Sequence, residues 1–135
     1  MGQIVGIDTQ IFTYVLENDK IFADRALLVI NDLAIGKYTG IFSSVGIIEL
    51  LTGPKKMGRF SLAQEYLKRL ESYPNLSIRN LNENNIDIAS TLRAKYNLRT
   101  PDSIHLATAI EAGAETFYSN DRSLKKVKEI KVETL

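Results

Sequence analysis

Residues 3–17 read Gln-Ile-Val-Gly-Ile-Asp-Thr-Gln-Ile-Phe-Thr-Tyr-Val-Leu-Glu. Residues 3–7 are a short apolar run of buried-strand length, and the run ends on a charge, Asp8. From residue 10 the apolar positions take three-to-four spacing, with Ile11, Tyr14 and Val15 on one face, so 10–17 is a predicted helix. A strand that passes through a carboxylate straight into a helix is the first half of a βαβ unit.

The same alternation continues outward. Asp24 to Leu33 is helical by the stripe Ala26, Leu27, Ile30 and Leu33, and Gly36 stops it. A second strand is expected at 39–43 and a short helix at 45–51, ending before Gly53-Pro54. Phe60 to Tyr73 is amphipathic through Phe60, Ala63, Tyr66, Leu67 and Leu70, and Pro74-Asn75 breaks it. A third strand follows at 76–79. Asn82 caps a helix through Tyr96 that carries Ile86, Ala89 and Leu92.

Thr100-Pro101-Asp102 is a helix start: Thr as N-cap, Pro at the first position, Asp at the positive end of the dipole. That helix runs to Gly113. A strand at 115–118, a polar turn Ser119-Asn120-Asp121-Arg122, a short helical stretch and a last strand at 130–133 complete the chain. Alternating strands and helices imply a three-layer α/β/α fold around a mostly parallel sheet of four to five strands. At 135 residues the expectation is one domain, 1–135.

Hydrophobic residues make up 44% of the chain and charged residues 24%, an ordinary globular balance. With no cysteine and one histidine, His105, thiol nucleophiles, zinc–thiolate centres and multi-histidine metal sites are excluded. No apolar run approaches the roughly 20 residues of a membrane span, and the N-terminus lacks signal-peptide character. A soluble, cytoplasmic protein is expected. Formal net charge is +1, so any nucleic-acid contact depends on local clusters such as Lys55-Lys56 with Arg59.

In an open parallel sheet, ligands bind beyond the carboxyl ends of the strands. Asp8 follows the first strand directly, Asp121 lies just past the fourth, and Glu49 lies in the helix leaving the second. Singly, Asp8 also reads as a plain helix cap, Asp102 as a first-turn acid and Asp121 as a turn residue. Glu49, among Ile48, Leu50 and Leu51, resists such a reading. Carboxylates gathered in a cleft repel unless a cation neutralises them, and hard oxygen donors suit Mg2+ or Mn2+. Such an ion activates water and polarises a phosphoryl oxygen, which points to phosphodiester hydrolysis.

Four segments also carry a family likeness: Ile7-Asp8-Thr9; Glu49-Leu-Leu-Thr-Gly53; Thr100-Pro-Asp102-Ser-Ile-His105-Leu-Ala-Thr-Ala109; and Tyr118-Ser-Asn-Asp121-Arg122. In this order, over nearly the whole length, the chain resembles the PIN-domain nucleases, especially the VapC-type toxins of toxin–antitoxin pairs. The resemblance implies a PIN-like fold and a Mg2+- or Mn2+-dependent endoribonuclease. Asp8, Glu49, Asp102 and Asp121 fall on its four catalytic acids. Asp8 and Asp102 would be the principal metal ligands, and Glu49 and Asp121 would complete the site. Ser119 and Thr9 match supporting hydroxyl positions, whereas Gly46 stands where Thr is common. The family does not use His105 as a general base, and its expected role is packing or hydrogen bonding.

The resemblance further implies an RNA substrate, a small antitoxin partner and a homodimer. Its alternatives are a PIN-domain RNA-processing or RNA-decay nuclease without an antitoxin, and a non-catalytic RNA-binding module. Lys55, Lys56 and Arg59 are the candidate RNA-backbone contacts. A haloacid-dehalogenase-type phosphatase is excluded, because it needs an Asp two residues after Asp8 and Gln10 stands there. A receiver domain lacks its acidic pair, and no Gly-rich phosphate loop occurs.

Overall fold

Parallel strands need a crossover between them, and the segments between this chain's strands supply one each time. The computed structural model describes residues 2–135. The elements are β1 (Gln3–Ile7), α1 (Thr9–Leu16), α2 (Ala23–Ala34), β2 (Tyr38–Ser43), α3 (Val45–Lys56), α4 (Phe60–Ser72), β3 (Leu76–Arg79), α5 (Glu83–Tyr96), α6 (Thr100–Glu111), β4 (Thr116–Tyr118), a short 3-10 helix (Arg122–Lys126) and β5 (Lys131–Glu133). The five strands form one sheet in the order β3-β2-β1-β4-β5, with every pairing parallel. The chain winds outward from β1 to β3, then returns to the far side of β1. The direction of winding reverses between β1 and β4, and the crevice beyond their carboxyl ends is the switch point of the sheet.

Helices cover both faces. Val5 and Ile7 of β1 pack with Ile11, Phe12, Ile30, Leu33, Phe42 and Leu70 in one buried cluster. Phe117 of β4 packs with Leu92, Leu106, Ala109, Leu124 and Val132 in the other. Gly6 sets how closely α6 approaches β1. A Cβ at Gly6 would stand 2.5 Å from Ala109 Cβ and 2.6 Å from Phe117 Cδ1, distances that real side chains do not adopt. The bare glycine lets α6 lie against the strand, and that contact holds the start of α6 at the switch point. Asn82 and Asn85 cap α5 reciprocally, and the amides of both donate to Glu111 Oε1 at 3.0 and 3.2 Å, tying α5 to the end of α6.

Several local expectations change. The helix expected to stop before Gly53-Pro54 continues to Lys56 and takes Pro54 into its last turn, where the missing amide and the crowding of the ring against the preceding turn disturb little further helix. Thr100 is the first residue of α6 rather than its cap, and Arg99 occupies the cap position without a side-chain bond. Leu27, Phe60 and Ile86 are exposed. The buried row of α4 is Ala63, Tyr66 and Leu70, starting one turn later than expected. In α5 the capping pair draws Asn85 inward, so Asn85, Ala89 and Leu92 face the core and Ile86 turns outward. Among the described residues, no helix is long and apolar enough to cross a membrane.

Candidate active site

The ladder of β1 and β4 extends one residue past the strand. The Asp8 amide donates to Tyr118 O at 2.9 Å, and the chain then turns into α1. Asp8 is the N-cap of α1, its Oδ1 accepting from the Thr9 amide at 2.8 Å. Its Oδ2 accepts from the Ser119 hydroxyl at 2.7 Å, and Ser119 Oγ accepts from the Asp121 amide at 3.0 Å. Asp8 is only 6% exposed. Burial pushes its carboxyl above the ordinary carboxylate range, with a smaller push from Asp102; His105, Ser119 and the Thr9 amide pull the other way. The helix-cap reading of Asp8 therefore holds, but a cap has no need of this much desolvation.

Glu49 sits on α3 with its side chain 38% exposed. Its Oε1 accepts from Thr9 Oγ1 at 2.9 Å and lies 2.6 Å from His105 Nε2. The hydrogen bond from His105 holds the Glu49 carboxyl below its ordinary value, outweighing partial burial. His105, on the inward face of α6, stacks on Phe42 with centroids 5.9 Å apart and planes at 17°.

Asp102 lies in the first turn of α6 with its side chain 14% exposed, where Arg99 Nε donates to its Oδ2 at 3.2 Å. A cleft of about 250 Å³ is lined by Asp8, Thr9, Gln10, Thr13, Tyr14, Glu49, Arg99 and Asp102. The structure thus brings Asp8, Glu49 and Asp102 to one cleft. Asp121 stands apart from its lining. Its Oδ1 caps the 3-10 helix through the Ser123 amide and hydroxyl, and it reaches Asp8 only through Ser119. Asn120 braces this loop: its amide donates to Gln10 Oε1 at 2.9 Å and its Nδ2 to Tyr14 OH at 3.3 Å.

Lys55, Lys56 and Arg59 do not line the cleft. Lys55 and Lys56 occupy the last turn of α3, where cations complement the helix dipole, and Arg59 lines a separate groove with Glu17, Met57 and Tyr66. Arg99 is the site residue that sequence reasoning missed. The available signal was its spacing, three residues before Asp102 at a helix start, where the two side chains share a face.

The donor set suits a hard divalent cation. The cleft offers carboxylate and hydroxyl oxygens without sulfur, and the desolvated Asp8 beside Asp102 is the arrangement a cation relieves. As the side chains stand, no three Asp, Glu or His groups among the described residues are arranged to hold an ion. Arg99 engages Asp102, and His105 and Thr9 engage Glu49. Asp8 and Asp102 would hold such a cation.

The fold is similar to solved structures over nearly its whole length. One is a chain of VapBC2 from Rickettsia felis bound to a DNA fragment from their promoter, at 21% identity and TM-score 0.80, covering 98% of each chain. Another is DNA-bound VapBC from Salmonella typhimurium, at 15% identity and TM-score 0.75, covering 99% of this chain and 98% of that one. A toxin–antitoxin complex from Klebsiella pneumoniae matches at 21% identity and TM-score 0.67, covering 93% and 94%. Comparison with curated proteins finds no match. The profile of the PIN domain matches residues 5–130. With that match spanning nearly all of a five-stranded parallel α/β/α fold, the chain belongs to the PIN domain family.

Proposed function

We propose that this PIN domain is a Mg2+- or Mn2+-dependent endoribonuclease and the toxin of a VapBC-type toxin–antitoxin pair. The observation that carries the reading is the cleft itself: a desolvated Asp8 faces Asp102 and Glu49 at the switch point of the sheet. PIN domains are generally nucleases, which supports a hydrolase of phosphodiester bonds. Asp8 and Asp102 bind the cation, and Glu49 and Asp121 complete the site. Ser119 and the Thr9 amide fix the direction of the Asp8 carboxylate, and Thr9 and His105 fix that of Glu49. When bound, the ion supplies an activated water and neutralises charge on the phosphoryl oxygens. Arg99, at the rim, is placed to meet the phosphate once Asp102 releases it.

An antitoxin that covers the cleft, and a homodimer, are parts of this proposal; the likeness to VapBC and toxin–antitoxin complexes supports the first. Lys55, Lys56 and Arg59 are proposed as outlying contacts to the RNA backbone, for which binding should weaken steeply as salt rises. The test is cleavage of single-stranded RNA and DNA by the wild type and Asp8→Asn, with and without Mn2+, followed by sequencing of the ends. Metal-dependent internal cuts in RNA that vanish in Asp8→Asn are expected. Equal cutting by the variant would refute the assignment.

A further inference from the structure

His105 is 3% exposed, and its Nδ1 is buried with no hydrogen-bond partner among the described residues. A side chain needed only to fill that volume would be apolar, since a buried polar atom without a partner is destabilising. The other ring nitrogen accounts for the imidazole. Nε2 lies 2.6 Å from Glu49 Oε1 and 3.3 Å from Thr9 Oγ1, while Thr9 Oγ1 donates to the same Oε1 at 2.9 Å.

Of the two neutral tautomers, only one is compatible with these surroundings. A proton on Nε2 points at a carboxylate oxygen and leaves Nδ1 a bare lone pair. A proton on Nδ1 would orphan a buried donor and turn the Nε2 lone pair against the carboxylate. The ring has little freedom to leave this position, because it stacks on Phe42. Gly46 admits Phe42 and Thr9 together: a Cβ there would overlap the edge of the Phe42 ring and stand 2.8 Å from Thr9 Oγ1. Thr9 from α1 and His105 from α6 thus meet on one carboxylate oxygen, with Phe42 of β2 against the imidazole and Gly46 of α3 against Phe42 and Thr9.

We propose that His105 is a positioning residue for Glu49, forming with Thr9 a two-donor clamp on Oε1 that leaves Oε2 for the cleft. The clamp rests on the reading of Glu49 as an acid of the metal site. It acts as outer groups do around a metal: it sets the direction of the carboxylate without touching ion or substrate.

Metal-free full-length protein tests it by Mn2+ titration calorimetry on the wild type, Asp8→Asn, His105→Leu and His105→Gln, each with its thermal melt. The wild type binds Mn2+ and Asp8→Asn does not. His105→Leu binds roughly tenfold or more weakly, in the range seen when outer-shell partners of metal ligands are removed. His105→Gln keeps a donor near Nε2 and recovers to within about threefold of the wild type, an expectation set by that same outer-shell range. In RNA cleavage the His105→Leu loss falls on kcat rather than KM. If His105→Leu does not fold, Thr9→Val removes the other donor at equal shape and carries the same expectation. Imidazole 15N shifts of the metal-free wild type report Nε2 as the protonated nitrogen.

A folded His105→Leu with wild-type Mn2+ affinity overturns the clamp and leaves the metal reading standing. So does His105→Gln as weak as Leu, or an Nε2 found without a proton. A wild type that binds no Mn2+ overturns the metal reading, and the clamp with it.

Discussion

Ser119 donates its hydroxyl hydrogen to Asp8 Oδ2 at 2.7 Å, joining the ends of β4 and β1 across 111 residues of chain. The Ser119 hydroxyl oxygen in turn accepts from the Asp121 amide, so one buried hydroxyl orients the acid after β1 and the turn after β4. Ser119→Ala removes both contacts. Asp8 then keeps one hydrogen bond, to the Thr9 amide, and the Asp121 amide loses its acceptor. We expect a loss of about 1–3 kcal/mol, the usual consequence of unsatisfied buried groups. Urea unfolding of metal-free protein measures it, and a loss under about 0.5 kcal/mol, the range of ordinary surface changes, would contradict the role.

Asp8→Asn should gain stability relative to the wild type as pH rises, while abolishing metal-dependent cleavage. The folded carboxyl titrates above its ordinary value, 3.8, chiefly because it is buried. Below that value both the folded and the unfolded protein carry the proton, and no penalty exists. As pH rises the unfolded chain ionises first, so stability falls until the folded Asp8 also ionises, and the deficit stays constant beyond. The amide escapes that deficit. The amide also leaves the Ser119 hydroxyl hydrogen without its acceptor, an offset that does not change with pH, so the readout is the rise of the variant relative to the wild type between low and neutral pH. Thermal melts in chelator at pH 4 and pH 7.5 check it: the advantage of Asn should grow with pH. Mn2+ should raise the melting temperature of the wild type only, since a ligand that binds the folded state alone stabilises it.

Arg99→Ala separates structure from site. Arg99 is 79% exposed, and exposed pairs of this kind contribute ~0–1 kcal/mol, so the fold should hardly notice the change. The site should notice it, because Arg99 sets a positive charge against the Asp102 carboxylate that a cation would share. Mn2+ should bind Arg99→Ala several-fold more tightly, and KM for RNA should rise as a phosphate contact is lost. Calorimetry and steady-state cleavage read the two effects separately. Weaker Mn2+ binding by the variant would mean that Arg99 orients Asp102 rather than competing for it.

What is legible in the sequence follows the reach of each interaction. β1 and its terminal Asp8 lie in adjacent residues, and strand period and charge mark them without help from the rest of the chain. The sheet follows from alternation alone, including its parallel sense. The meeting of Asp102 with Asp8 is not written locally. It depends on α6 settling against Gly6, and a bare glycine inside a strand announces a close approach without naming the partner. Asn85 was hidden for a related reason. Its polarity marks a surface position by pattern, yet the reciprocal cap with Asn82 and the bond to Glu111 carry it inward. Arg99 engages Asp102 by helix spacing that is readable afterwards but shared with many exposed pairs. His105 could be placed on the face of Asp102 by spacing, but its partner Glu49 lies 56 residues away and no local pattern connects them.

Gly46→Ala sets two local effects against each other, and their magnitudes decide the outcome. In an exposed helix the change gains about 0.8–1.0 kcal/mol of helix propensity. Here the new methyl meets the edge of the Phe42 ring and Thr9 Oγ1, at 2.5 Å from Cε1 and 2.8 Å from the hydroxyl. Phe42 has little room to yield, since Phe12 packs edge-on at 4.9 Å and His105 stacks on it at 5.9 Å. Overpacking of this kind costs about 1–3 kcal/mol, which exceeds the propensity gain. Net destabilisation of about 1 kcal/mol is therefore expected, with the methyl's displacement passing through Thr9 and Phe42 to Glu49. The variant should melt lower and also bind Mn2+ more weakly. Gly53→Ala, where a Cβ meets nothing within 4 Å beyond its chain neighbours, should leave Mn2+ binding unchanged, its effect on stability set by helix propensity against the crowding of a Cβ before Pro54. If both alanines behave alike, the close packing at Gly46 does not govern the site.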